Sequence, residues 1–343
     1  MKRKTVYFTA PRQVELREES LPVLGANDIL VETSCSAISA GTEMLIYQNR
    51  FPHDVETDPV IASLRGAFEY PLAYGYSCAG RVMDIGKDVN RAWLDRSVFS
   101  FQPHTSHFIA KPDSLFTIPN SLRPDTACFL PNMETAVNLV QDAAPILGER
   151  VLVLGQGVVG LLVTSLLKEF PLEALITSDC FELRRKASLI MGANDSFDPI
   201  SLKNNVSVQM DKKHLSGYAQ TFDLSFELTG SPSALDEAIA FTSFSGRIIV
   251  GSWYGEKRAV INLGGAFHRA RIRLISSQVS TIAPELSGRW DKARRFHVAW
   301  EALNRIQPQK WITHRIPIDN AIDAYRLLDE NPQETIQVMF EYR

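Results

Sequence analysis

Apolar runs of strand length alternate with stretches of helical length through the centre of the chain. Residues 151–154 form an aliphatic run typical of a buried strand, and residues 161–167 are apolar over the length of a helix. Strands alternating with helices predict one doubly wound parallel sheet, an α/β fold. The further strand-like runs, each ending in small or acidic residues, are 174–179, 222–230, 247–252 and 272–277.

A glycine-rich turn lies between the first of these strands and its helix. Gly155, Gly157 and Gly160 have the G-x-G-x-x-G spacing, and Val158 and Val159 open the helix. In this context the first glycine permits a tight turn, the second lets backbone approach a pyrophosphate, and the third lets helix and strand pack closely. The helix N-terminus would add N–H donors for the phosphates. The pattern predicts a Rossmann dinucleotide-binding unit.

An acidic residue ends the second strand. Asp179 lies 19 residues beyond Gly160, near the spacing expected for a carboxylate that binds the adenosine ribose. A carboxylate there repels a 2′-phosphate, so NAD is favoured over NADP, although Arg184 and Arg185 could reach such a phosphate. Ligands of doubly wound sheets bind at the carboxyl ends of the strands. Further cofactor contacts are therefore expected at Thr229, Gly230, Gly251, Ser252, Ser277 and Gln278.

The two ends of the chain show a different pattern. Residues 5–33 contain short apolar runs separated by Pro and Gly, which is typical of antiparallel strands. Residues 50–70 lack periodicity and predict a long loop, either a lid or a binding segment. A helix over 290–306 and a strand over 335–341 are expected to close the chain.

At 343 residues the chain is long for a single core and suits two domains. We expect a mainly β catalytic domain from residues 1–133 and 281–343, and a Rossmann domain of residues 134–280. A net charge of −3 argues against nucleic-acid or anionic-membrane partners. The four cysteines form no C-x-x-C pair, and no signal peptide or membrane-spanning run is visible. We expect a cytoplasmic enzyme with a small-molecule substrate.

Two further motifs lie in the amino-terminal part, Ala40-Gly41-Thr42-Glu43 and Gly75-Tyr76-Ser77-Cys78-Ala79-Gly80. They lie where zinc alcohol dehydrogenases have Cys-Gly-Thr-Asp and Gly-His-Glu-x-x-Gly. Together with the Rossmann unit, they make the chain resemble the medium-chain dehydrogenase/reductase superfamily. The resemblance implies that the mainly β catalytic domain is GroES-like. The first motif and the Gly75-Tyr76 pair resemble a zinc-less branch related to bacteriochlorophyllide dehydrogenases.

The resemblance also implies where a catalytic zinc would be bound. The three ligand positions correspond to Ala40, Tyr76 and Pro131, and none of these binds zinc in the usual way. The four-cysteine structural lobe of the family is missing. His104 and His107 could bind a metal as a pair, but two ligands without a thiolate or carboxylate make a poor site. We expect no metal.

A zinc-less relative must polarise the carbonyl with hydrogen-bond donors or an acid/base residue. Tyr76 replaces a ligand histidine and suits the donor role, or it fills the space left by the metal. Thr42 aligns with the hydroxyl that relays protons in the zinc enzymes, and it could also cap a helix near Glu43. His104 is expected to face the pocket as a proton shuttle, and His107 to be a solvated loop residue.

The candidates for the substrate pocket are Glu43, Trp253, Tyr254 and His268. Trp253 and Tyr254 should wall the nicotinamide side, or pack in the core, and Glu43 is expected to be a supporting carboxylate. We expect a zinc-independent oxidoreductase that transfers a hydride between NAD(H) and a secondary alcohol or ketone. The alternatives are an NADPH-dependent quinone or enone reductase, and a nucleotide-binding sensor or structural protein without catalysis. The family also implies a homodimer through edge pairing of residues 272–274.

Overall fold

The computed structural model describes residues 1–52, 66, 69–201 and 221–342, so the loop predicted over 50–70 lies mostly outside the described residues. The chain divides into two compact units. Unit 1 is Met1–Pro131 with Leu303–Arg343, and unit 2 is Asn132–Ala302.

The described chain contains both strands and α-helices in each unit. The strands are β1 (Lys2–Ala10), β2 (Gln13–Ser20), β3 (Ile29–Ala37), β4 (Leu72–Ala73), β5 (Cys78–Ile85), β6 (Ser97–Ser100), β7 (His107–Ala110), β8 (Phe116–Thr117), β9 (Arg150–Leu154), β10 (Ala174–Ser178), β11 (Asp195–Phe197), β12 (Phe222–Glu227), β13 (Thr242–Val250), β14 (Arg273–Ser276), β15 (Ile312–Pro317) and β16 (Gln337–Glu341). The helices are α1 (Ala40–Tyr47), α2 (Pro124–Ala127), α3 (Leu130–Ala143), α4 (Val158–Leu167), α5 (Glu182–Ile190), α6 (Ala234–Phe241), α7 (Lys292–Ile306) and α8 (Ala321–Glu330).

Unit 2 is built on a six-stranded parallel sheet in the order β11-β10-β9-β12-β13-β14. This is the doubly wound order, and the predicted parallel Rossmann sheet is confirmed. The ends of five neighbouring strands are in register: Leu154 lies between Ser178 and Glu227, followed across the sheet by Val250 and Ser276. The segments that follow these residues therefore lie along one edge of the sheet.

Unit 1 is mainly β. A seven-stranded sheet is centred on β3, which pairs with β5, β7 and β16, and a three-stranded sheet has the order β2-β1-β4. One core cluster places Phe8, Tyr325 and Phe340 together, and Phe340 and Phe8 have no exposed surface. The separate mainly β domain that the sequence predicted is confirmed.

The boundaries of the units lie inside two helices. The first, after Pro131 in α3, is close to the predicted residue 133, whereas the second lies after Ala302 in α7 rather than at residue 280. Residues 281–302 pack with unit 2 because Lys292 and Arg295 of α7 bind Glu134 of α3. No described helix combines the length and apolar composition that a membrane crossing requires.

Candidate functional site

The glycine turn of unit 2 has two glycines that the protein itself requires. Gly155 has φ +89°, and a Cβ there would lie 2.6 Å from the carbonyl oxygen of Leu228, which directly follows the neighbouring strand β12. A Cβ at Gly160 would lie 2.0 Å from the carbonyl oxygen of Gly155. These contacts explain the first and third glycines by a left-handed turn and by close packing of α4.

The second glycine has a different environment. Apart from its chain neighbours and the backbone of α4, no described residue has an atom within 4 Å of a Cβ built on Gly157, so its small size is not required by the described fold. Gly157 is the N-cap of α4. Val158 and Val159 form the first turn of the helix, where backbone N–H groups have no intrahelical acceptor. Open space beside free helix donors fits a phosphate group of a dinucleotide.

Asp179 lies beside this turn. Its Oδ2 accepts a hydrogen bond from the backbone N–H of Gln156 at 2.7 Å, and its Oδ1 accepts one from Phe181 at 2.8 Å. The guanidinium of Arg184 lies 4.8 Å above the Phe181 ring. Arg185 donates to the carbonyl oxygens of Asp179 and Cys180 at 2.7 and 2.9 Å. Asp179 is thereby held beside the glycine turn, as the spacing of a Rossmann unit predicts.

A buried carboxylate that was not among the predicted site residues lies at the end of β12. Glu227 has no exposed surface, and its Oε1 accepts hydrogen bonds from the amide and hydroxyl of Thr229 at 2.8 and 2.5 Å. Its Oε2 accepts one from the hydroxyl of Tyr254 at 2.5 Å. Burial and the nearby Glu227 charge raise the pKa of Tyr254 well above its usual value. Glu227 thus joins the turn after β12 to the turn after β13.

The other predicted cofactor residues lie along the same edge of the sheet. Ser252 Oγ accepts a hydrogen bond from the amide of Gly230 at 2.9 Å, while Gly251 follows β13 directly. Ser277 donates to Asp142 Oδ2 at 2.6 Å, and Gln278 is exposed beside it.

The three aromatic and imidazole residues proposed for the substrate pocket differ in exposure. The hydroxyl of Tyr254 points down onto Glu227 rather than outward, so this residue supports the turn. Trp253 is exposed, and so is His268. The role of His268 across a subunit boundary stays a prediction.

In unit 1 the structure brings three hydroxyl groups together. Tyr76 donates a hydrogen bond to Ser39 Oγ and lies 3.2 Å from Thr42 Oγ1. All three side chains are half-buried, and the neighbouring Gly41 is exposed, so the cluster lies at the surface of unit 1. Helix α1 begins at Ala40 with Ser39 as its N-cap, so the alternative of Thr42 as the cap is wrong.

His104 and Glu43 lie beneath this cluster, and neither has exposed surface. His104 Nδ1 lies 2.7 Å from Ser36 Oγ, and its Nε2 lies 3.0 Å from Glu43 Oε2. Glu43 also accepts hydrogen bonds from the amide of Ser39 at 2.7 Å and from the hydroxyl of Tyr325 at 2.6 Å. The expectation that His104 faces the pocket is wrong, because both ring nitrogens bind interior groups.

The same geometry corrects two other expectations. Glu43 does not line an open pocket, since its carboxylate is covered and bound on both oxygens. His107 is half-buried rather than solvated, with Nδ1 3.0 Å from Ser106 Oγ, and burial lowers its pKa. Glu43 meets the hydroxyl cluster at the backbone amide of Ser39. His104 and Glu43 therefore hold the backbone that carries the Ser39 hydroxyl.

The residues at the expected zinc positions do not fit a zinc ion. Ala40 and Pro131 have no donor atom on their side chains, and the Tyr76 hydroxyl is bound to Ser39. Within residues 1–52, 66, 69–201 and 221–342, no group of three or more His, Cys, Asp or Glu side chains could hold a metal. The Sγ atoms of Cys35 and Cys128 lie 3.7 Å apart, and both are buried free thiols.

Comparison with known proteins matches this architecture. Over 98% of its length the chain is 22% identical to D-guloside 3-dehydrogenase of Escherichia coli K12, covering 99% of that protein. An E. coli CFT073 structure described as a short chain alcohol dehydrogenase, complexed with NADH, aligns over 99% of both chains with TM-score 0.75 and 18% identity. The chain has the alcohol dehydrogenase fold.

A second solved structure extends the likeness. A putative zinc-binding dehydrogenase from Sinorhizobium meliloti 1021, bound to NADP, aligns over 99% of both chains with TM-score 0.76 and 18% identity. No protein-family model matches the chain. The relative and the two structures are dehydrogenases by name, in agreement with the broad resemblance inferred from the sequence motifs.

Two residues of the candidate site were missed by sequence reasoning. Glu227 was included only as part of a predicted strand, although an acid before Leu228-Thr229-Gly230 at a strand end could have marked it. Ser39 precedes the first motif by one residue, and its hydroxyl is where Tyr76 binds. The sequence feature that could have identified Ser39 was a serine at the position where a helix begins.

Proposed function

We propose that the protein is a zinc-independent oxidoreductase that transfers a hydride between NAD(H) and a secondary alcohol or ketone. The observation that carries the proposal is the cluster of Tyr76, Ser39 and Thr42 hydroxyls. Tyr76 corresponds to a ligand position of the zinc alcohol dehydrogenases, and Thr42 to their proton-relaying hydroxyl. The name of the relative, D-guloside 3-dehydrogenase, supports a secondary hydroxyl as the reacting group. Polyhydroxylated substrates such as glycosides are therefore the first class to test.

The nucleotide part of the proposal rests on unit 2. Open space at Gly157 and the amides of Val158 and Val159 would hold the pyrophosphate, and Asp179 would bind the ribose hydroxyls. The fixed carboxylate would repel a 2′-phosphate, which favours NAD. Bound NAD(H) supplies the hydride acceptor or donor.

The proton part rests on unit 1. In ketone reduction, Tyr76 would donate its proton to the developing alkoxide oxygen, and Ser39 or Thr42 would return a proton from solvent. In alcohol oxidation the proton moves in the opposite direction. Ser39 and Thr42 also hold the phenol oxygen in place, and the Tyr76 hydroxyl would turn from Ser39 to the substrate oxygen before it donates.

The cofactor and substrate are tested together. The Tm of the protein is measured with NAD and with NADP at equal concentration, and turnover is assayed on secondary alcohols, glycosides, ketones and enones with both. We expect a larger Tm increase with NAD and turnover of a secondary alcohol. A preference for NADP with enone turnover would support the quinone or enone reductase instead. Cofactor binding without any turnover would support a nucleotide-binding sensor.

The role of Tyr76 is tested by Tyr76→Phe, which removes the hydroxyl and keeps the ring. General acid catalysis contributes about 10²–10⁴-fold, so kcat should fall by that range while cofactor binding is unchanged. Tyr7→Phe is the matched control, because its hydroxyl binds Glu19 on the surface of the same unit. Equal effects of the two substitutions on kcat would contradict the assignment.

Zinc independence has its own measurement. The purified protein should contain well under one zinc per chain by elemental analysis, and dialysis against a chelator should leave turnover unchanged. Loss of turnover that only zinc restores would overturn this part of the proposal.

A homodimer through β14 belongs to the same proposal. β14 is an edge strand of its sheet, and Leu274 is exposed there, whereas the side chain of Ile272 is buried in the core of unit 2. Light scattering should give twice the chain mass, and Leu274→Asp should give the monomer mass. A monomer in the unchanged protein would reject the dimer.

A further inference from the structure

Arg295 is buried without exposed surface in unit 2, and it is the largest of the fully buried side chains in the described chain. It lies in α7, next to Lys292 in space and opposite Glu134 in α3. Burying a guanidinium requires several well-placed acceptors, because the lost hydration is otherwise not replaced. Its contacts show what those acceptors are.

Arg295 binds both a side-chain pair on α3 and the backbone after β14. Its Nε donates to Glu134 Oε1 at 3.1 Å, and one terminal nitrogen donates to Asn138. The carbonyl oxygens of Val279 and Thr281 accept from the two terminal nitrogens, the second at 3.0 Å. A planar guanidinium with fixed N–H directions can hold two carbonyls in one relative orientation.

Two more contacts fix the same segment, residues 277–281. Lys292 donates to the carbonyl oxygen of Val279 at 3.1 Å and also binds Glu134. Asn138 donates to Ser277 Oγ at 2.9 Å, so Asn138 binds Arg295 and the start of the segment. A four-residue cluster of Glu134, Asn138, Lys292 and Arg295, on helices α3 and α7, therefore holds this segment in place.

The position of the segment in the sheet gives it a role. Residues 277–281 follow β14 on the edge of the sheet where β9, β12 and β13 also end, at Leu154, Glu227 and Val250. A doubly wound sheet binds one half of a dinucleotide on each side of the switch between its first and fourth strands. Asp179 marks the adenosine side after β10, so the side of β12, β13 and β14 is the nicotinamide side.

We propose that Arg295 is a positioning residue that shapes the nicotinamide subsite by fixing the backbone of residues 277–281. The inference rests on the proposed nucleotide binding and adds a residue that lies beneath the segment. It requires that loss of the Arg295 contacts affects the nicotinamide half of the ligand and spares the adenosine half. A residue that serves only the stability of unit 2 would affect both halves alike.

The test compares two ligands that differ in the nicotinamide ring, NADH and ADP-ribose. Dissociation constants of both are measured by calorimetry for the unchanged protein, Arg295→Lys and Glu134→Gln. Lysine keeps the charge and loses the two-carbonyl fork, while glutamine keeps an acceptor for Arg295. We expect NADH binding to weaken about tenfold in Arg295→Lys while ADP-ribose binding changes less than about twofold. Glu134→Gln should also weaken NADH binding more than ADP-ribose binding, but by a smaller factor than Arg295→Lys.

The control is Arg294→Lys on the same helix, where Arg294 stacks on Trp290 at the surface. It should leave both ligands unchanged. Equal weakening of NADH and ADP-ribose in both Arg295→Lys and Glu134→Gln, or no change in either, would overturn the inference. If Arg295→Lys fails to fold, Glu134→Gln alone tests the inference, by the change in its NADH dissociation constant relative to the change in its ADP-ribose dissociation constant. Failure of the unchanged protein to bind ADP-ribose would instead overturn the proposed function on which the inference rests.

Discussion

His104 Nε2 lies 3.0 Å from Glu43 Oε2 in the interior of unit 1, and neither side chain reaches solvent. Truncating one partner leaves a buried carboxylate with fewer donors. We expect His104→Ala to lower the free energy of unfolding by about 3 kcal/mol, measured by urea denaturation. His107→Ala is the control and should cost no more than about 1 kcal/mol, because that ring is half-buried beside its neighbour. Similar losses in the two variants would contradict the structural role of the pair.

Gly157 and Gly160 should respond oppositely to alanine. Gly157→Ala adds a methyl group to open space, so stability should be retained while NAD binding weakens by about tenfold or more. Gly160→Ala places a methyl group against the Gly155 carbonyl oxygen and should destabilise the fold by about 1–3 kcal/mol. Thermal unfolding and NAD titration of both variants check this. A stable Gly157→Ala that binds NAD normally would show that no ligand occupies that space.

The charge of Asp179 should set the preference between cofactors. Asp179→Asn keeps an oxygen acceptor for one of the amides of Gln156 and Phe181 but removes the charge. The ratio of NADP to NAD dissociation constants should therefore fall by about tenfold, as expected for loss of one charged contact. Glu182→Gln, an exposed change in the next helix, is the control. An unchanged ratio would remove the argument for NAD selectivity.

The fold should lose stability in alkaline solution. Burial raises the pKa of the thiols of Cys78 and Cys128, and burial with a nearby carboxylate raises those of Tyr254 and Tyr325. For an acid whose folded pKa is raised, stability is full below the unfolded pKa and falls as pH rises above it. The unfolded values are about 8.5 for Cys and about 10 for Tyr.

The loss should therefore begin near pH 8.5 and steepen above about pH 10, at roughly 1.4 kcal/mol per pH unit for each group that stays protonated. Urea midpoints from pH 7 to 11 in reducing buffer measure it. In Tyr325→Phe the urea midpoint should fall less steeply with pH above pH 10. A midpoint that is constant from pH 8 to 11 would contradict the buried, protonated state of these groups.

Features that depend on neighbours in sequence were predictable. The spacing of Gly155, Gly157 and Gly160 between a strand and a helix encodes a turn, since backbone φ and close packing are local demands. The acid at Asp179 was predictable for the same reason, because a β-α-β unit fixes the distance from the turn. The second domain boundary could not be predicted in this way, because it depends on a contact between Glu134 and Arg295, which are 161 positions apart in the sequence.

The sequence by itself determined the alternation of strands and helices and the glycine turn between β9 and α4. Only the tertiary structure decided which polar side chains meet. Tyr76 and Ser39 are 37 positions apart, and His104 lies in the interior because Ser36, Glu43 and a ring contact with Phe340 surround it. Periodicity reports which face of an element is buried. The partner of a buried polar atom depends on the packing of distant segments, and no local pattern specifies it.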